Sequence, residues 1–408
     1  MKIVIIGFSL AGYTASRYIL MNAPKTEMEI FDQDKYPYYP RPSLYEVLSG
    51  ESPTDKIILH PAEWYEERGI KLHLGVSVKS IKPTDKEIVL ADGETVSYDK
   101  LLIANGARPS IPPLKGTDKK GVFAIRTIDN VLAIREYAKG KKNAVVIGGG
   151  LLGLEASDAL GKLGLKTTVL EFAPWLLPRQ IDREGSDLLI SEFEKRGVET
   201  KCGAETEEIT GDTSVTGVKV KGGYTIPAQL VVFATGIRSN TELPKVAGIN
   251  VNKGVIVDDH LRTNIEDIYA AGDVAEHKGR VYGIIPATTE QAQIAAANMI
   301  GKETSYNGTV ALNTLKVAEY DLTSIGLVNP ESNEYEQIRK VDADKCIYKK
   351  IVLKEGKIVG AMLIGDRKIV KPMTDIISRG INVEEVKQEI LEEDFDFKQF
   401  IEKNSPKP

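Results

Sequence analysis

The sequence predicts an α/β protein that contains two similar units of parallel sheet, followed by a smaller domain of the α+β class. A β-branched apolar run, Ile3–Ile6, leads directly into a glycine-containing turn and a helical pattern. The same succession of strand, turn and helix returns over 144–163. Short apolar runs of this kind are typical of strands buried on both faces of a parallel sheet. From about residue 305 onward the predicted strands become amphipathic, as in a sheet with one exposed face.

The two parallel units repeat each other along the chain. Gly148 follows Gly7 by 141 positions, and each of these glycines directly follows an apolar strand. A further apolar strand, ending in Ala-x-Gly, occurs once after each turn, at 101–106 and at 230–236. Such internal repetition indicates two nucleotide-binding units. The predicted fold is therefore two Rossmann-like dinucleotide-binding domains of three layers each, with a C-terminal α+β domain.

Composition and charge exclude several classes of protein. The chain has 408 residues, which is enough for roughly two to three domains. Hydrophobic residues make up 42% and charged residues 27%, proportions typical of a folded globular protein. The net charge of −5 argues against nucleic-acid binding. No run of about 18 apolar residues is present, so we expect no membrane-spanning helix.

The cysteines and histidines suggest neither a disulfide framework nor a metal site. Cys202 and Cys346 are far apart in the chain, and there is no Cys-x-x-Cys motif. The four histidines are scattered without metal-ligand spacing: His60, His73, His260 and His277. We therefore expect no metal, and we expect both cysteines to be packed or surface thiols rather than catalytic groups.

The first residues, Met1 and Lys2 followed by an apolar run, resemble the start of a signal peptide. Gly7 and Gly12 interrupt that run, and no small-residue cleavage site follows cleanly. We therefore expect a buried strand there and a cytoplasmic protein.

The second glycine turn, 148–153, reads Gly-Gly-Gly-Leu-Leu-Gly between a strand and a helix. In this motif Gly148 permits the tight turn, Gly150 lets the backbone approach a pyrophosphate, and Gly153 lets the helix pack on the strand. The helix N-terminus offers N–H groups to the phosphates. Glu171 ends the next strand, where its carboxylate can accept the ribose hydroxyls and would repel a 2′-phosphate. This placement favours NAD over NADP.

The first glycine turn, Gly7–Gly12, is less regular. Ser9 stands where the motif has its second glycine. Its side chain either crowds the approach of a pyrophosphate or turns its hydroxyl to a phosphate oxygen. Asp32 lies twenty residues beyond Gly12, at the place expected for a ribose-binding acid. We therefore expect this unit also to bind a dinucleotide.

Two dinucleotide sites in one chain indicate a redox enzyme with two cofactors, a nicotinamide and a flavin. A third motif favours the first unit as the flavin site. A strand within 263–271 ends in Gly272-Asp273, where the carboxylate can accept hydrogen bonds from the hydroxylated ribityl chain of FAD. The alternative interpretation is that Gly272 and Asp273 only form a turn.

Together these motifs resemble the pyridine nucleotide–disulfide oxidoreductase superfamily, and within it the NADH:rubredoxin oxidoreductases and the nitrite-reductase-type NAD(FAD)-dependent dehydrogenases. Further segments carry the resemblance: Tyr39–Leu44, Ala104–Pro109, Ala234–Gly236, Ala271–Asp273 and Glu290–Ala292. The resemblance implies an FAD-binding domain over 1–112 and 235–303, an NAD-binding domain over 113–234, and a C-terminal interface-type domain over 304–408.

The resemblance also implies roles for individual residues. Asp32 would bind the adenosine ribose, Val78 the adenine through its backbone, and Asp273 the ribityl chain. The implied catalytic residues are Arg41, Glu46 and Glu155, of which Glu155 would stand where nicotinamide meets flavin. The alternative for Glu155 is an acid in the first turn of a helix, favoured by the helix dipole. The implied cofactor-binding residues are Gly7, Ser9, Leu10, Ala11, Gly12, Asp32, Arg41, Pro42, Val78, Ala104, Asn105, Gly106, Arg126, Gly148, Gly150, Leu151, Leu152, Gly153, Glu171, Thr235, Gly236, Gly272, Asp273, Glu290 and Gln291.

Two departures from the family pattern bear on mechanism. The segment 36–50 contains no cysteine, whereas the disulfide reductases and several related branches carry a redox thiol there. Glu46 stands where the ferredoxin-reductase branch usually has a lysine. If Glu46 and Glu155 lie close together, each raises the pKa of the other, unless Arg41 or Lys56 lies between them.

The resemblance implies transfer of a hydride from NADH to FAD, followed by single-electron transfer to a carrier such as rubredoxin or another iron–sulfur protein. Lys316, Lys349 and Lys350 are candidates for a docking patch, with ordinary solvated lysines as the alternative. Two other functions stay open. The chain could be an electron-input subunit of a larger oxidoreductase complex that binds its partners through 305–408, or a flavoprotein that signals its redox state. The C-terminal domain could also form a homo-oligomer or a hetero-complex.

Overall fold

The computed structural model describes residues 1–309, 312–317, 320–342 and 344–404, and it gives the backbone alone at 312–317 and at 320. In chain order the first strands are β1 (Lys2–Ile6), β2 (Glu27–Asp32), β3 (Ile70–Leu74), β4 (Val78–Lys82), β5 (Glu87–Leu90), β6 (Thr95–Ser97), β7 (Lys100–Ile103), β8 (Ala107–Pro109), β9 (Val122–Ala124), β10 (Asn143–Ile147), β11 (Lys166–Glu171) and β12 (Val198–Cys202). The later strands are β13 (Thr206–Thr210), β14 (Gly217–Val220), β15 (Tyr224–Pro227), β16 (Leu230–Phe233), β17 (Ile237–Ser239), β18 (Val255–Val257), β19 (Ile268–Ala270), β20 (Ala275–His277), β21 (Leu312–Val317), β22 (Tyr320–Gly326), β23 (Glu336–Asp342), β24 (Ile347–Lys354) and β25 (Lys357–Ile364). The helices are α1 (Leu10–Asn22), α2 (Leu44–Ser49), α3 (Thr54–Ile57), α4 (Ala62–Glu66), α5 (Ile128–Ala138), α6 (Leu151–Lys162), α7 (Arg183–Lys195), α8 (Glu242–Val246), α9 (Ile285–Met299), α10 (Val370–Arg379) and α11 (Phe397–Asn404), and a 3₁₀ turn spans Arg41–Ser43.

The chain divides into two compact units. Unit 1 comprises residues 1–110, 126–132 and 236–309. Unit 2 comprises the remaining segments, 111–125, 133–235 and the chain from 310 onward. The second parallel sheet and the C-terminal sheet therefore belong to one unit. The three-domain division inferred from the sequence stays a prediction.

Unit 1 is built on a parallel sheet with strand order β19-β7-β1-β2-β3. The apolar run of β1 is buried, with Ile3, Val4 and Ile5 inaccessible to solvent. Helices α1 and α9 pack against each other. Their buried residues are mostly small, including Ala11, Ala15, Ala292, Ala295 and Ala296. Small side chains let the two helices approach closely, and this fixes the start of α1 beside the end of β1.

Unit 2 repeats this plan in a parallel sheet with strand order β12-β11-β10-β16-β9. In both sheets the strand that leads into the glycine turn, β1 or β10, lies between the next strand of the chain and the strand that is followed by Ala-x-Gly. Reversal of the strand order on either side of β1 or β10 opens a crevice at the carboxyl ends, which is where α/β sheets bind ligands. The sheets confirm the predicted α/β class with two Rossmann-like units.

The C-terminal part of unit 2 is an antiparallel sheet with strand order β21-β22-β25-β24-β23. Helix α10 covers it, and the core beneath includes Ile325, Ile351, Met373 and Ile376. This confirms the predicted change to an α+β domain. The charged segment 384–402 is helical only in its last part, in α11, and turns occupy most of 384–394.

The two C-terminal lysines predicted to be solvated or part of a docking patch are buried, so that prediction is wrong. Lys349 is 2% and Lys350 4% exposed. Lys349 Nζ lies 2.7 Å from Asp366 Oδ2, and Lys350 Nζ lies 2.8 Å from Asp182 Oδ2. A buried ammonium needs a close anion. Because both anions lie outside β24, the residues next to the lysines give no sign that these side chains are buried. The side chain of the third candidate, Lys316, lies outside the described residues. Within the described ranges, no helix combines the length and apolar character needed to cross a bilayer.

Candidate dinucleotide-binding sites

Unit 1 contains a cavity of about 660 Å³ at the carboxyl ends of β1, β2 and β7. The sheet crevice predicted from the strand order is therefore present as open space. Side chains or backbone of many predicted site residues form its wall: Gly7, Ser9, Asp32, Arg41, Val78, Ala104, Asn105, Gly106 and Arg126. These residues come from six separate places in the chain, and the fold brings them together around a space suited to an elongated ligand.

The glycine turn of unit 1 requires glycine at both ends. Gly7 has φ +100°, and a Cβ there would lie 2.3 Å from Ala104 O. A Cβ at Gly12 would lie 2.0 Å from Gly7 O. The first glycine therefore lets β1 turn beside β7, and the second lets α1 start against the turn.

The turn of unit 2 has the same geometry. A Cβ would lie 2.4 Å from Ala234 O at Gly148, which has φ +113°, and 1.9 Å from Gly148 O at Gly153. Gly150 differs, because no described atom beyond its neighbours comes within 4 Å of a Cβ built there. The side of the turn at Gly150 is therefore open, as a pyrophosphate approaching the N-terminus of α6 requires. Thr235 lies beside this turn, with its backbone N 3.3 Å from the Cβ position of Gly148.

The two strand-end acids hold their turns in the same way. Asp32 accepts hydrogen bonds from Phe8 N at 2.5 Å and Asp34 N at 2.8 Å. Glu171 accepts from Gly149 N at 2.6 Å and from Ala173 N at 2.7 Å. In each unit the donors are the residue after the first glycine and the residue two beyond the acid. Burial raises the pKa of Asp32, and these backbone donors oppose that rise.

Arg41 is the centre of a polar cluster in the wall of the cavity. Its guanidinium lies 4.6 Å from the Tyr39 ring centroid and donates to Tyr39 Oη and to Arg126 O. Asp34 Oδ2 lies 3.5 Å from Arg41 Nη1 and accepts a 2.7 Å bond from the Tyr39 hydroxyl. Ser9 Oγ lies 3.4 Å from Arg41 Nε and does not cap α1. The hydroxyl therefore points toward the arginine, on the cavity side of the turn.

Arg126 joins the cavity wall to the Gly-Asp motif. Its Nη2 lies 3.4 Å from Asp273 Oδ2, so the two charges partly neutralise each other. Gly272 N donates to Gln291 Oε1 at 3.0 Å, and a Cβ at Gly272 would lie 3.0 Å from Ala11 Cβ. This close approach connects the motif with α1 and α9.

Two buried polar atoms near this motif lack partners among the described residues. They are Asn105 Oδ1 in the cavity wall and Gln291 Nε2. A buried acceptor and a buried donor without partners are costly, and a bound polar ligand would satisfy such atoms. The cavity and the unpartnered Asn105 Oδ1 in its wall both fit a dinucleotide such as FAD in unit 1.

Other predicted residues lie outside the cavity wall. Leu10, Ala11 and Gly12 are in the first turn of α1, and Pro42 is exposed. Glu290 Oε2 accepts a 2.6 Å bond from Thr309 Oγ1. Gly236, with φ +97°, accepts from Ser110 N through its carbonyl. Glu290 and Gly236 therefore each accept a hydrogen bond within the protein, and their binding of a cofactor stays a prediction.

The two predicted catalytic acids have different environments. Glu46 lies in unit 1, in the first turn of α2, and is exposed outside the cavity wall. Glu155 lies in unit 2 on α6, which also carries Leu151 and Leu152 at its start. Burial raises the pKa of Glu155 from 4.5 to about 7. Glu155 can therefore hold or release a proton near neutral pH.

Neither cysteine has the environment of a reactive thiol. Cys346 is 2% exposed and Cys202 is partly buried. Burial raises the pKa of each thiol to about 11. The nucleophilic thiolate is therefore scarce at neutral pH at both positions.

Sequence reasoning missed several polar residues of the cavity wall, above all Asp34 and Asn240. Asp34 holds Tyr39 and Arg41, and Asn240 exchanges hydrogen bonds with Asn105. The polar stretch 32–35 directly after β2 was a usable signal for Asp34. Asn240 follows Ala-x-Gly by four positions and offered no such signal.

Residues 1–298 match the family described as pyridine nucleotide-disulphide oxidoreductase. The chain belongs to this family. Residues 312–381 match the rubredoxin NAD⁺ reductase C-terminal domain. These matches confirm the predicted family, the class of enzyme and the cofactors FAD and NAD(P)H.

Two curated relatives of this oxidoreductase differ in length and in named activity. A nitrite reductase [NAD(P)H] of Bacillus subtilis is 40% identical over 387 residues, which are 94% of this chain and 48% of the relative. An NADH-rubredoxin oxidoreductase of Clostridium acetobutylicum is 32% identical over 367 residues, which are 90% of this chain and 91% of the relative. The chain spans about half the length of the nitrite-reductase relative and nearly all of the rubredoxin-reductase relative.

Solved structures share the fold over almost the whole oxidoreductase chain. The NADH:rubredoxin oxidoreductase of Clostridium acetobutylicum superposes with a TM-score of 0.80 and 28% identity, covering 95% of this chain and 97% of that one. Putidaredoxin reductase, in its covalent complex with putidaredoxin, has a TM-score of 0.88 at 23% identity, covering 100% and 99%. The second likeness concerns the fold alone.

Proposed function

We propose that this chain oxidises NADH with a bound FAD and passes the electrons one at a time to a small iron–sulfur carrier of the rubredoxin kind, without a thiol relay. The observation that carries the proposal is the combination of an FAD- and NAD(P)H-dependent fold with a cysteine-free segment at 36–50. Of the two thiols elsewhere, Cys346 is buried and Cys202 is partly buried, and burial raises the pKa of both. Electrons must then leave from the flavin itself.

The residues that would hold the two cofactors lie in different units. In unit 1, Asp32, Asn105 and Arg126 offer charge and hydrogen bonds along the cavity for FAD, and Asp273 pairs with Arg126. Bound FAD supplies a group that accepts an electron pair from a reduced nicotinamide and releases electrons singly. In unit 2, the open turn at Gly150 would bind the pyrophosphate of NADH.

Glu171 supports NADH rather than NADPH as the donor. Its two oxygens are fixed by Gly149 N and Ala173 N, so the carboxylate keeps its place at the end of β11. A carboxylate held there can accept ribose hydroxyls and repels a 2′-phosphate.

Anaerobic stopped-flow spectroscopy tests the proposal. The flavin-loaded protein is first mixed with NADH, and loss of flavin absorbance is followed. The reduced protein is then mixed with purified rubredoxin, ferredoxin or nitrite. We expect rapid bleaching by NADH and fast reduction of rubredoxin. Bleaching without fast reduction of any one-electron carrier would contradict the proposed acceptor class, and no bleaching would contradict the proposed donor.

A second candidate function is electron input to a larger nitrite-reductase-type enzyme. It is favoured by the 40% identity with a relative of which this chain spans only 48%. In this case the chain needs a further redox subunit or segment to reduce nitrite. Native mass spectrometry of the protein purified from its source organism distinguishes these two functions. A stable complex with an iron–sulfur subunit supports electron input to a larger enzyme. A species that contains this chain alone supports the first proposal, in which the chain reduces a separate small carrier.

A further inference from the structure

The loop that follows Glu171 in unit 2, residues 172–182, contacts the glycine turn on one side. Leu177 N donates to Gly149 O at 3.2 Å. Leu176 is fully buried, and its Cδ2 lies 2.6 Å from the place a Cβ would take at Gly149. Ala173 N donates to Glu171 Oε1. The loop therefore touches both the turn and the acid that together form the proposed NADH site.

The 172–182 loop has a backbone conformation that its own sequence does not favour. Leu177 has φ +52°, in the left-handed region that a branched side chain rarely adopts. Strained residues of this kind persist only where surrounding contacts hold them. Some other part of unit 2 must therefore keep the loop in place.

The C-terminal sheet supplies those contacts through Asn329. Asn329 lies just after β22 and its amide Nδ2 donates to Pro178 O at 3.1 Å and to Ile181 O at 2.7 Å. Trp175 Nε1 also donates to Ile181 O, at 3.2 Å. The amide of Asn329 thus joins the carbonyls of Pro178 and Ile181, which lie on either side of residues 179–180.

A buried ion pair fixes the end of the same loop. Lys350 Nζ and the Tyr348 hydroxyl, both on β24, reach Asp182 Oδ2 at 2.8 Å and 2.9 Å. Asp182 Oδ1 caps α7 by accepting from Gly185 N at 3.0 Å. Burial would raise the pKa of Asp182, but the bonds from Lys350, Gly185 and Tyr348 hold it below its usual value. The Asp182 carboxylate is therefore charged at neutral pH, and both of its oxygens accept hydrogen bonds.

We infer that the C-terminal sheet positions the NADH-binding turn through the 172–182 loop, with Asn329 and Lys350 as positioning residues for the nicotinamide nucleotide. The inference rests on the proposed function, since that function makes the turn an NADH site. Neither residue contacts the turn itself. Each acts through the loop, which transmits its position to Gly149 and Glu171.

The test measures nucleotide binding and electron delivery separately in flavin-loaded protein. In Asn329→Ala we expect the KM for NADH and the Kd for NAD⁺ to rise about fivefold to tenfold, with kcat at saturating NADH within about twofold of wild type. Delivery of electrons to rubredoxin after chemical reduction with dithionite uses no nucleotide, so it should stay at the wild-type rate. A general loss of structure would weaken nucleotide binding and also slow electron delivery to rubredoxin.

Two further variants separate positioning from folding. Lys350→Met leaves Asp182 as a buried charge without its cation, and such proteins can fail to fold. The double variant Asp182→Asn with Lys350→Met removes that charge and should reproduce the weaker nucleotide binding. Lys354→Met is the matched control, because Lys354 lies on the same strand but pairs with Glu334 at the surface. It should bind NAD⁺ as wild type does.

The inference is overturned if folded Asn329→Ala and the double variant both bind NAD⁺ with wild-type affinity. Failure of the proposed function has a different signature. In that case the wild-type protein itself is not reduced by NADH and does not bind NAD⁺.

Discussion

At the scale of single residues, the strand-end acids combine two tasks. Asp32 and Glu171 each use one oxygen to hold the backbone after the first glycine and the other to hold the segment that follows the strand. Short bonds from backbone N–H groups to a carboxylate are strong because the acceptor is charged. A substitution at either acid therefore changes the shape of the turn as well as the charge presented to a ribose.

Glu171→Arg is expected to shift preference from NADH toward NADPH. The guanidinium removes the repulsion of a 2′-phosphate and adds attraction, so the ratio of kcat/KM for NADPH to that for NADH should rise about tenfold or more. Steady-state kinetics with both nucleotides measures it. Glu171→Gln is the control, since it keeps an oxygen for Gly149 N without the charge and should give a smaller rise. An unchanged ratio in both variants would refute the ribose assignment.

Glu155 is expected to make stability depend on pH. Its folded-state pKa of about 7 exceeds the ordinary 4.5, so between these values the folded protein holds a proton that the unfolded chain has released. Stability therefore falls as the pH rises through this window. The free energy of unfolding of Glu155→Gln, measured relative to wild type, should therefore rise by on the order of 2 kcal/mol from pH 5 to pH 8.

Denaturant unfolding at several pH values measures this gain. Glu46→Gln is the control, because Glu46 is exposed, and it should keep the wild-type dependence on pH. A Glu155→Gln protein whose stability follows the wild-type curve would show that the carboxyl of Glu155 is not the group responsible.

At the scale of elements, the glycine turns and the strands before them were predictable because their signals are local. A β-branched run, a glycine at each end of the turn and an acid at the end of the next strand all lie within about 30 residues. The burial of Lys349 and Lys350 was not predictable, since it depends on Asp366 and Asp182 from other elements. Asn240 was missed for the same reason. A sequence pattern shows where the backbone turns but not which distant side chain meets it.

Two glycines of the same turn should respond differently to substitution. Gly150→Val places a side chain in open space with an ordinary backbone angle, so the protein should fold while NADH binding weakens about tenfold or more. Gly153→Ala would place a Cβ 1.9 Å from Gly148 O and should lower the free energy of unfolding. Thermal unfolding and NAD⁺ titration distinguish them. Undiminished NAD⁺ binding in Gly150→Val would contradict a pyrophosphate at that place.

At the scale of the whole molecule, each unit carries one glycine turn and one strand-end acid, and this duplication made the family recognisable. The unit boundaries were less accessible, because the C-terminal sheet belongs to the same compact unit as the second parallel sheet. Within this unit, hydrogen bonds and ion pairs join segments more than 140 residues apart, such as Asn329 with Pro178. No periodicity in the sequence reports such contacts.

Removal of both thiols is expected to leave turnover intact. Cys202→Ser combined with Cys346→Ala removes every cysteine of the chain, and we expect NADH-dependent reduction of rubredoxin within about twofold of wild type, since no thiolate takes part. Turnover with a one-electron carrier measures it, alongside flavin content as a control. A loss of tenfold or more in a folded, flavin-loaded protein would require a sulfur relay after all.

The bridge from Asn329 to the 172–182 loop has a consequence for protein engineering. A chimera that exchanges the segment from 310 onward for that of a relative is an obvious way to redirect electrons to another acceptor. Such a graft would also replace the amide that holds Pro178 and Ile181. The 172–182 loop should therefore be exchanged together with the sheet. Otherwise the chimera is expected to bind NADH with an altered affinity.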